Sequence, residues 1–462
     1  MRVVVIGGGI AGLAAAHRLR ERLGPAGEIV VVDRADRIGG KLHTTTLAGQ
    51  PIETGAETFL MREKGTESAV LLLAQRIGLG ADLVHPAPIG AAIALRGELH
   101  PLPAGTLLGI PSSSSHVDSA LVGPGGDDRD TGTPLLAPGE DIAVGRLVRA
   151  RLGYDVVNHL VEPLLGGVYA GRADRLSLAV TVPALHAAAQ REHTLSAAVD
   201  AALAASPRPA GAPVFAGVRG GISRLVEAVA AAAGAEVRLG HPVRELARTG
   251  TGWSLTVGST RDPERIRADR VVLAAPARPA ARLLAGVSPA AAAEVGQLDY
   301  ASVVLVNLAL PAGTELPPLS GFLVPPTEDY AVKAATFFSR KWPHLAGGGP
   351  VFVRASLGRY GEERVLQRTD ADLIALARAD LSGLLGQPVP EPLAASVHRW
   401  GGGLPQYGVG HLDRVRAARA ALPPGLALAG AGYDGVGIAA CVRSGESAAD
   451  LLLGDKENDE HE

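Results

Sequence analysis

Arg2-Val3-Val4-Val5-Ile6-Gly7-Gly8-Gly9-Ile10-Ala11-Gly12 is the stretch whose reading decides the fold. Arg2 to Ile6 is a β-branched run of strand length, Gly7 to Gly12 is a turn, and Leu13 to Leu23 repeats apolar residues at helical spacing. A second run, Glu28 to Asp33, is almost continuous valine ending on an acid, as a buried parallel strand is. The result is a βαβ unit. Within it Gly7-x-Gly9-x-x-Gly12 fits the dinucleotide fingerprint: the first glycine makes the tight turn, the second admits a pyrophosphate, and the third lets helix approach strand. The helix start, from Gly8 and Gly9 through Ile10 and Ala11, offers free N–H groups and a partial positive charge to the diphosphate. Asp33 follows Gly12 by twenty-one residues, where a carboxylate can hold ribose hydroxyls, and Arg34 adjoins it.

Working outward, the 462 residues exceed one typical domain, and 47% hydrophobic with 20% charged residues is a globular composition. A net charge of −3 with mixed signs supplies no basic face for nucleic acid. Cys441 is the single cysteine, which excludes internal disulfides and multi-cysteine metal or iron–sulfur sites; no metal site is expected. Five of the 44 Lys and Arg residues are lysine, and arginine is the better fork for carboxylates. No apolar run reaches the roughly 18 residues of a membrane span, Ala301 to Leu310 being about as long as they become. Met1 to Ala16 has the composition of a signal peptide, yet its removal would delete the glycine turn, so a cytoplasmic chain that keeps it is expected.

The expected fold class is α/β, with the dinucleotide-binding domain in three pieces, residues 1–84, 214–298 and 396–454. Residues 85–139 hold short strands and, from Pro111 to Pro138, a Ser-, Gly- and Asp-rich loop expected to be mobile. Residues 140–205 recur at helical spacing and form a mainly helical subdomain. Residues 299–395 mix strands with one helix, Asp370 to Leu385, as a sheet-based substrate domain. The tail 455–462 is too charged to pack and is expected to be disordered.

Two further stretches, Arg37-x-Gly39-Gly40-Lys41 and Glu53-Thr54-Gly55-Ala56-Glu57-Thr58, follow the unit in the manner of many flavoproteins. With them the chain resembles the FAD-dependent oxidases of the amine oxidase and protoporphyrinogen oxidase superfamily. The resemblance implies FAD, with Gly40, Lys41, Gly55, Ala56, Glu57 and Thr58 at the cofactor. Asp33 departs from it, since the superfamily usually has Glu there. Later pieces agree: Arg219-Gly220-Gly221-Ile222-Ser223-Arg224-Leu225, then His241-Pro242-Val243 with Val243 by the adenine. The closing turn Gly430 to Ala439 is implied to bring Val436, Gly437 and Ile438 to the flavin ring.

Within that superfamily, Glu162-Pro163-Leu164-Leu165-Gly166-Gly167-Val168-Tyr169-Ala170-Gly171 resembles the porphyrinogen oxidases. So do Arg399-Trp400 through Tyr407, Ser320 to Pro325, and Lys341-Trp342-Pro343, while residues 112–133 carry no family motif. The resemblance implies a porphyrinogen substrate, oxidised by six electrons in three flavin cycles with dioxygen as acceptor. No dedicated acid or base is then needed. It further implies that Gly167, Tyr169 and Phe322 line the substrate pocket and that Trp400 lies near the cofactor. Arg172, Arg175, Arg340, Lys341 and Arg443 are candidate partners for propionates. Coproporphyrinogen III is the expected substrate, with handover to a ferrochelatase, and protoporphyrinogen IX is the alternative. More distant alternatives are a flavin amine oxidase or carotenoid desaturase, which lacks the middle signature, and a non-catalytic FAD-binding porphyrin scaffold.

Overall fold

A five-stranded parallel sheet forms around the opening strand, in the order Glu236–Arg238, Glu28–Val32, Arg2–Ile6, Arg270–Leu273, Leu426–Leu428. The computed structural model that contains it describes residues 1–454 except 64, 124, 206 and 208–210; the charged tail 455–462 lies outside the described residues. Alternate side chains of each strand enter different cores. Val3, Val5, Ile29 and Val31 pack under the helices Ile10–Leu23, Ser223–Ala233 and Ile438–Leu453. Val4, Ile6, Val30 and Val32 pack against the antiparallel sheet of Val243–Arg248, Trp253–Gly258 and Pro263–Ala268. Both faces being covered, the strands read as unbroken valine, and each fully buried valine contributes about 1.5–3 kcal/mol. The first and last helices cross where Gly445 meets Ala11: a Cβ on Gly445 would stand 2.0 Å from the Ala11 carbonyl oxygen.

The second sheet has seven strands in the order Glu98–Pro101, Ala92–Leu95, Gly321–Leu323, Val332–Phe337, Val351–Leu357, Asp299–Leu310, Ala394–Gln406. Its pairs are antiparallel apart from Ala92–Leu95 with Gly321–Leu323. Helix Asp370–Leu385 covers one face through Leu373, Ala377, Leu381 and Leu384. The helices between Val144 and Ala204 form a separate apolar core, and a π-helical turn, Val156–Val161, runs into helix Glu162–Tyr169.

Pro111 to Pro138, expected to be mobile, is irregular beyond Pro111 among the described residues, but docked on that helical core. Leu121 and Leu136 are buried in it, and His159 Nδ1 is 2.6 Å from the Leu121 carbonyl oxygen. The Asp128 carboxylate accepts from the N–H groups of Leu195 and Ser196, at the start of helix Leu195–Ala204. Buried leucines and a satisfied helix terminus hold this stretch without regular structure of its own.

Candidate functional site

The glycine turn is built as its spacing requires. Gly7 has φ +118°, and a Cβ there would lie 2.6 Å from the Ala274 carbonyl oxygen; one on Gly12 would lie 1.9 Å from the Gly7 oxygen. Gly9 differs, because its φ of −74° suits any residue and a Cβ there would meet nothing within 4 Å. Gly9 borders open space at the start of a fourteen-residue helix that has no side-chain cap and no acid in its first turn. Geometry and dipole together suit this helix start to an anion. Asp33 is fixed beside it, its carboxylate accepting from the N–H of Gly8 at 2.6 Å and of Ala35 at 2.8 Å. Arg34 is exposed. The Asp33 carbonyl takes the N–H of His241 at 2.8 Å, which brings half-buried Val243, two residues on, to the same end of the sheet.

The other glycine loops stack on this turn. Gly39 N–H donates to the Gly8 oxygen at 2.7 Å, and a Cβ on Gly40 would come within 3.3 Å of the Gly9 Cα. Lys41 has its Nζ 6.0 Å from the Tyr300 ring centroid; burial lowers its pKa, and no carboxylate is within 4 Å among the described residues. Its carbonyl accepts from the Ala56 N–H at 3.0 Å, which draws in the 53–58 loop; Thr58 is half-buried there. Trp400 Nε1 donates to the Thr54 oxygen at 2.6 Å, and its ring edge is 3.2 Å from where a Gly55 Cβ would be. Gly437, at φ +117° and again bordered by nothing within 4 Å, opens the last helix; Val436 beside it is partly buried and Ile438 is core. Two helix starts bordered by open space, a half-buried lysine with no carboxylate against it among the described residues, and a fixed carboxylate form a set that fits a flavin dinucleotide.

Glu57 sits in that loop, but its carboxylate faces the second sheet. It accepts from Trp342 Nε1 at 2.6 Å and pairs with Arg354 at 2.6 Å and Lys341 at 2.9 Å. Burial alone would push this acid up; the two cations and their hydrogen bonds outweigh it and hold its pKa at about 2. Glu57 therefore ties the glycine loops to the second sheet, a correction to its expected place as a cofactor ligand.

The pocket residues sort by strand parity. The cross-strand row Leu323, Ala334, Ser356, Leu305, His398 lies on one face. It starts at helix Glu162–Tyr169, where Leu323 Cδ2 is 3.3 Å from the position of a Gly167 Cβ. It ends at His398, 5.9 Å from the His43 ring and two residues from Trp400. Burial first and the Arg37 cation next lower the pKa of both histidines, so the row carries no charge at neutral pH. Gly167 is exposed. Phe322 points the other way: it is 1% exposed and edge-on to Phe337 at 5.7 Å, in the core under helix Asp370–Leu385. Tyr169 is also core, its ring edge-on to Tyr407 at 5.8 Å. The two expected aromatic pocket residues are thus buried in apolar cores, and it is Leu323 that lies beside Gly167. Alternation along Gly321–Leu323 was the signal for this, since Phe322 and Leu323 cannot share a face.

The candidate cations are mostly engaged. Arg172 pairs with Glu362, Lys341 with Glu57, and Arg443 with Glu63 at 2.6 Å. Arg340 donates to the Leu316 oxygen at 2.9 Å, and Arg175 stacks on Tyr360 at 4.8 Å. Tyr433, the aromatic of the closing turn, is 3% exposed in the core of the first sheet.

A doubly covered parallel sheet with a glycine turn, tied through its glycine loops to a mixed sheet, defines a flavin-type dinucleotide-binding oxidoreductase. The family model of flavin containing amine oxidoreductases matches residues 10–453, and the chain belongs to that family. It is 39% identical over 457 residues to the coproporphyrinogen III oxidase of Mycobacterium tuberculosis, covering 97% of this chain and 96% of the relative. Identity to the coproporphyrinogen III oxidase of Bacillus subtilis is 32% over 473 residues, covering 98% and 97%. A crystal structure from Exiguobacterium sp. 255-15, provisionally assigned as a protoporphyrinogen oxidase, matches with TM-score 0.82 and 31% identity over 98% of this chain and 99% of that one. The chain is an FAD-dependent oxidoreductase. Among the described residues no helix is long and apolar enough to cross a membrane.

Proposed function

We propose that this chain oxidises coproporphyrinogen III to coproporphyrin III in haem biosynthesis. The observation that carries the reading is the row of apolar and neutral side chains from Leu323, beside Gly167, to His398, which runs from the porphyrinogen-oxidase signature to the cofactor loops. Full-length identity to relatives named for that reaction supports it. Bound FAD supplies a two-electron acceptor that dioxygen reoxidises. Aromatising the macrocycle removes six hydrogens, so three turnovers convert three dioxygen to three hydrogen peroxide.

The chain's own part is binding, orientation and dryness. The Gly7–Gly12 turn and Lys41 would hold the diphosphate, and Asp33 the ribose. Val243 would sit by the adenine, with Gly55, Trp400 and Val436 to Ile438 around the ring. Leu323, Leu305 and Ala334 would press a flat apolar face on the macrocycle, and Gly167 leaves room for it. A cytoplasmic location and passage of product to a ferrochelatase-type enzyme belong to the same reading. The test is porphyrin fluorescence and peroxide release under air, with coproporphyrinogen III and protoporphyrinogen IX offered in parallel. Preference for the first is expected; preference for the second would replace the substrate, and silence on both would overturn the reading.

A further inference from the structure

Lys333 is a lysine in the interior without a counter-ion among the described residues. It is 4% exposed, and no carboxylate lies within 4 Å of its Nζ among the described residues. Its one hydrogen bond there is a long one, 3.4 Å, to the Gly166 carbonyl oxygen. The residue is the extra one in a β-bulge: Val332 pairs with Leu357 and Ala334 with Ser356, leaving Lys333 between them without a partner. Bulges re-aim single side chains, and this one sends a cation to helix Glu162–Tyr169 at the Gly167 end of the row. Beside its contact there is room, since a Cβ on buried Gly166 would meet nothing within 4 Å.

The nearest charges do not neutralise it. Arg359 adds a second buried cation, its Nη2 donating to the Val324 oxygen at 2.9 Å. Glu362 stands 3.8 Å from Arg359 and is already paired with Arg172. Burial first, and Arg359 next, bring the Lys333 pKa down to about 7. An incoming carboxylate would reverse that and supply the missing acceptor.

We propose that Lys333 receives a propionate of the porphyrinogen, one of the two that coproporphyrinogen III carries where protoporphyrinogen IX carries vinyl groups. The inference rests on the porphyrinogen reading above. An unpaired buried ammonium is costly against a vinyl group and favourable against a carboxylate, so this one position favours the four-carboxylate substrate.

Lys333→Met and Lys333→Arg holoenzymes would be compared with the parent on both porphyrinogens, with coproporphyrin III binding followed by fluorescence on the oxidised protein. Lys333→Met is expected to raise KM for coproporphyrinogen III and Kd for coproporphyrin III roughly ten- to a hundredfold. Its kcat, flavin content and KM for protoporphyrinogen IX stay within about twofold, and Lys333→Arg recovers part of the loss. A merely structural lysine would move the melting temperature and leave the ratio of the two KM values unchanged. An unchanged ratio, or equal loss on both substrates, overturns the assignment. Parent protein silent on both porphyrinogens would instead overturn the reading it rests on.

Discussion

Glu57→Gln tests whether the glycine loops are locked to the second sheet by charge. The substitution keeps the shape of the side chain and an acceptor for Trp342, and removes the negative charge shared by Lys341 and Arg354. In the folded protein the acid titrates at about 2, against 4.5 for the free side chain. At about 1.36 kcal/mol per pH unit that gap is on the order of 3 kcal/mol, similar to the roughly 3–5 kcal/mol lost when one partner of a buried pair is removed. Because the folded value lies below the unfolded one, this stability is in place above about pH 4.5 and drains as pH falls toward 2. Urea unfolding followed by tryptophan fluorescence would measure it, with Trp342 inside the clamp as reporter. The variant is expected to be less stable by on the order of 3 kcal/mol at pH 7 and by only about 1 kcal/mol at pH 3. A deficit that is absent, or the same at both pH values, would refute an ion-paired clamp.

Gly9→Val is expected to melt with the flavin-free parent, since φ and space both accept a side chain, yet to retain less than about a tenth of the flavin. Stoichiometric yellow protein would contradict the turn's assignment. Gly445→Val drives a side chain into the Ala11 carbonyl and is expected to cost about 3 kcal/mol or more; a parental melting temperature would show that the two helices can part. Phe322→Ala is expected to lose about 3–5 kcal/mol of stability with little change in KM, whereas Leu323→Ala raises KM for the porphyrinogen several-fold with a smaller stability loss. The opposite pattern would mean that the faces of the strand have been exchanged.

What was legible in the sequence follows from the range over which each feature is encoded. The glycine turn, its strand and Asp33 lie within thirty-three residues, and every constraint on them is local: φ at Gly7, the close approach at Gly12, valine on both faces. The helix Asp370–Leu385 was equally plain from its own spacing. The row beside Gly167 was not, because a motif can place a strand without saying which face it turns. One residue of parity puts Phe322 in the core and Leu323 beside Gly167. Charge was harder still: Lys341 reads as an available cation until Glu57, far away in the chain, is found against it. Lys333 reads as one lysine in an apolar strand, and only the bulge shows why it points inward. Ion pairs and bulges are settled by contacts between distant segments, and such contacts decide which of the many cations stays free to meet a substrate. On the proposed assignment of Lys333, substrate choice therefore rests on the layer of structure that sequence motifs describe least, whereas cofactor choice rests on the layer they describe best.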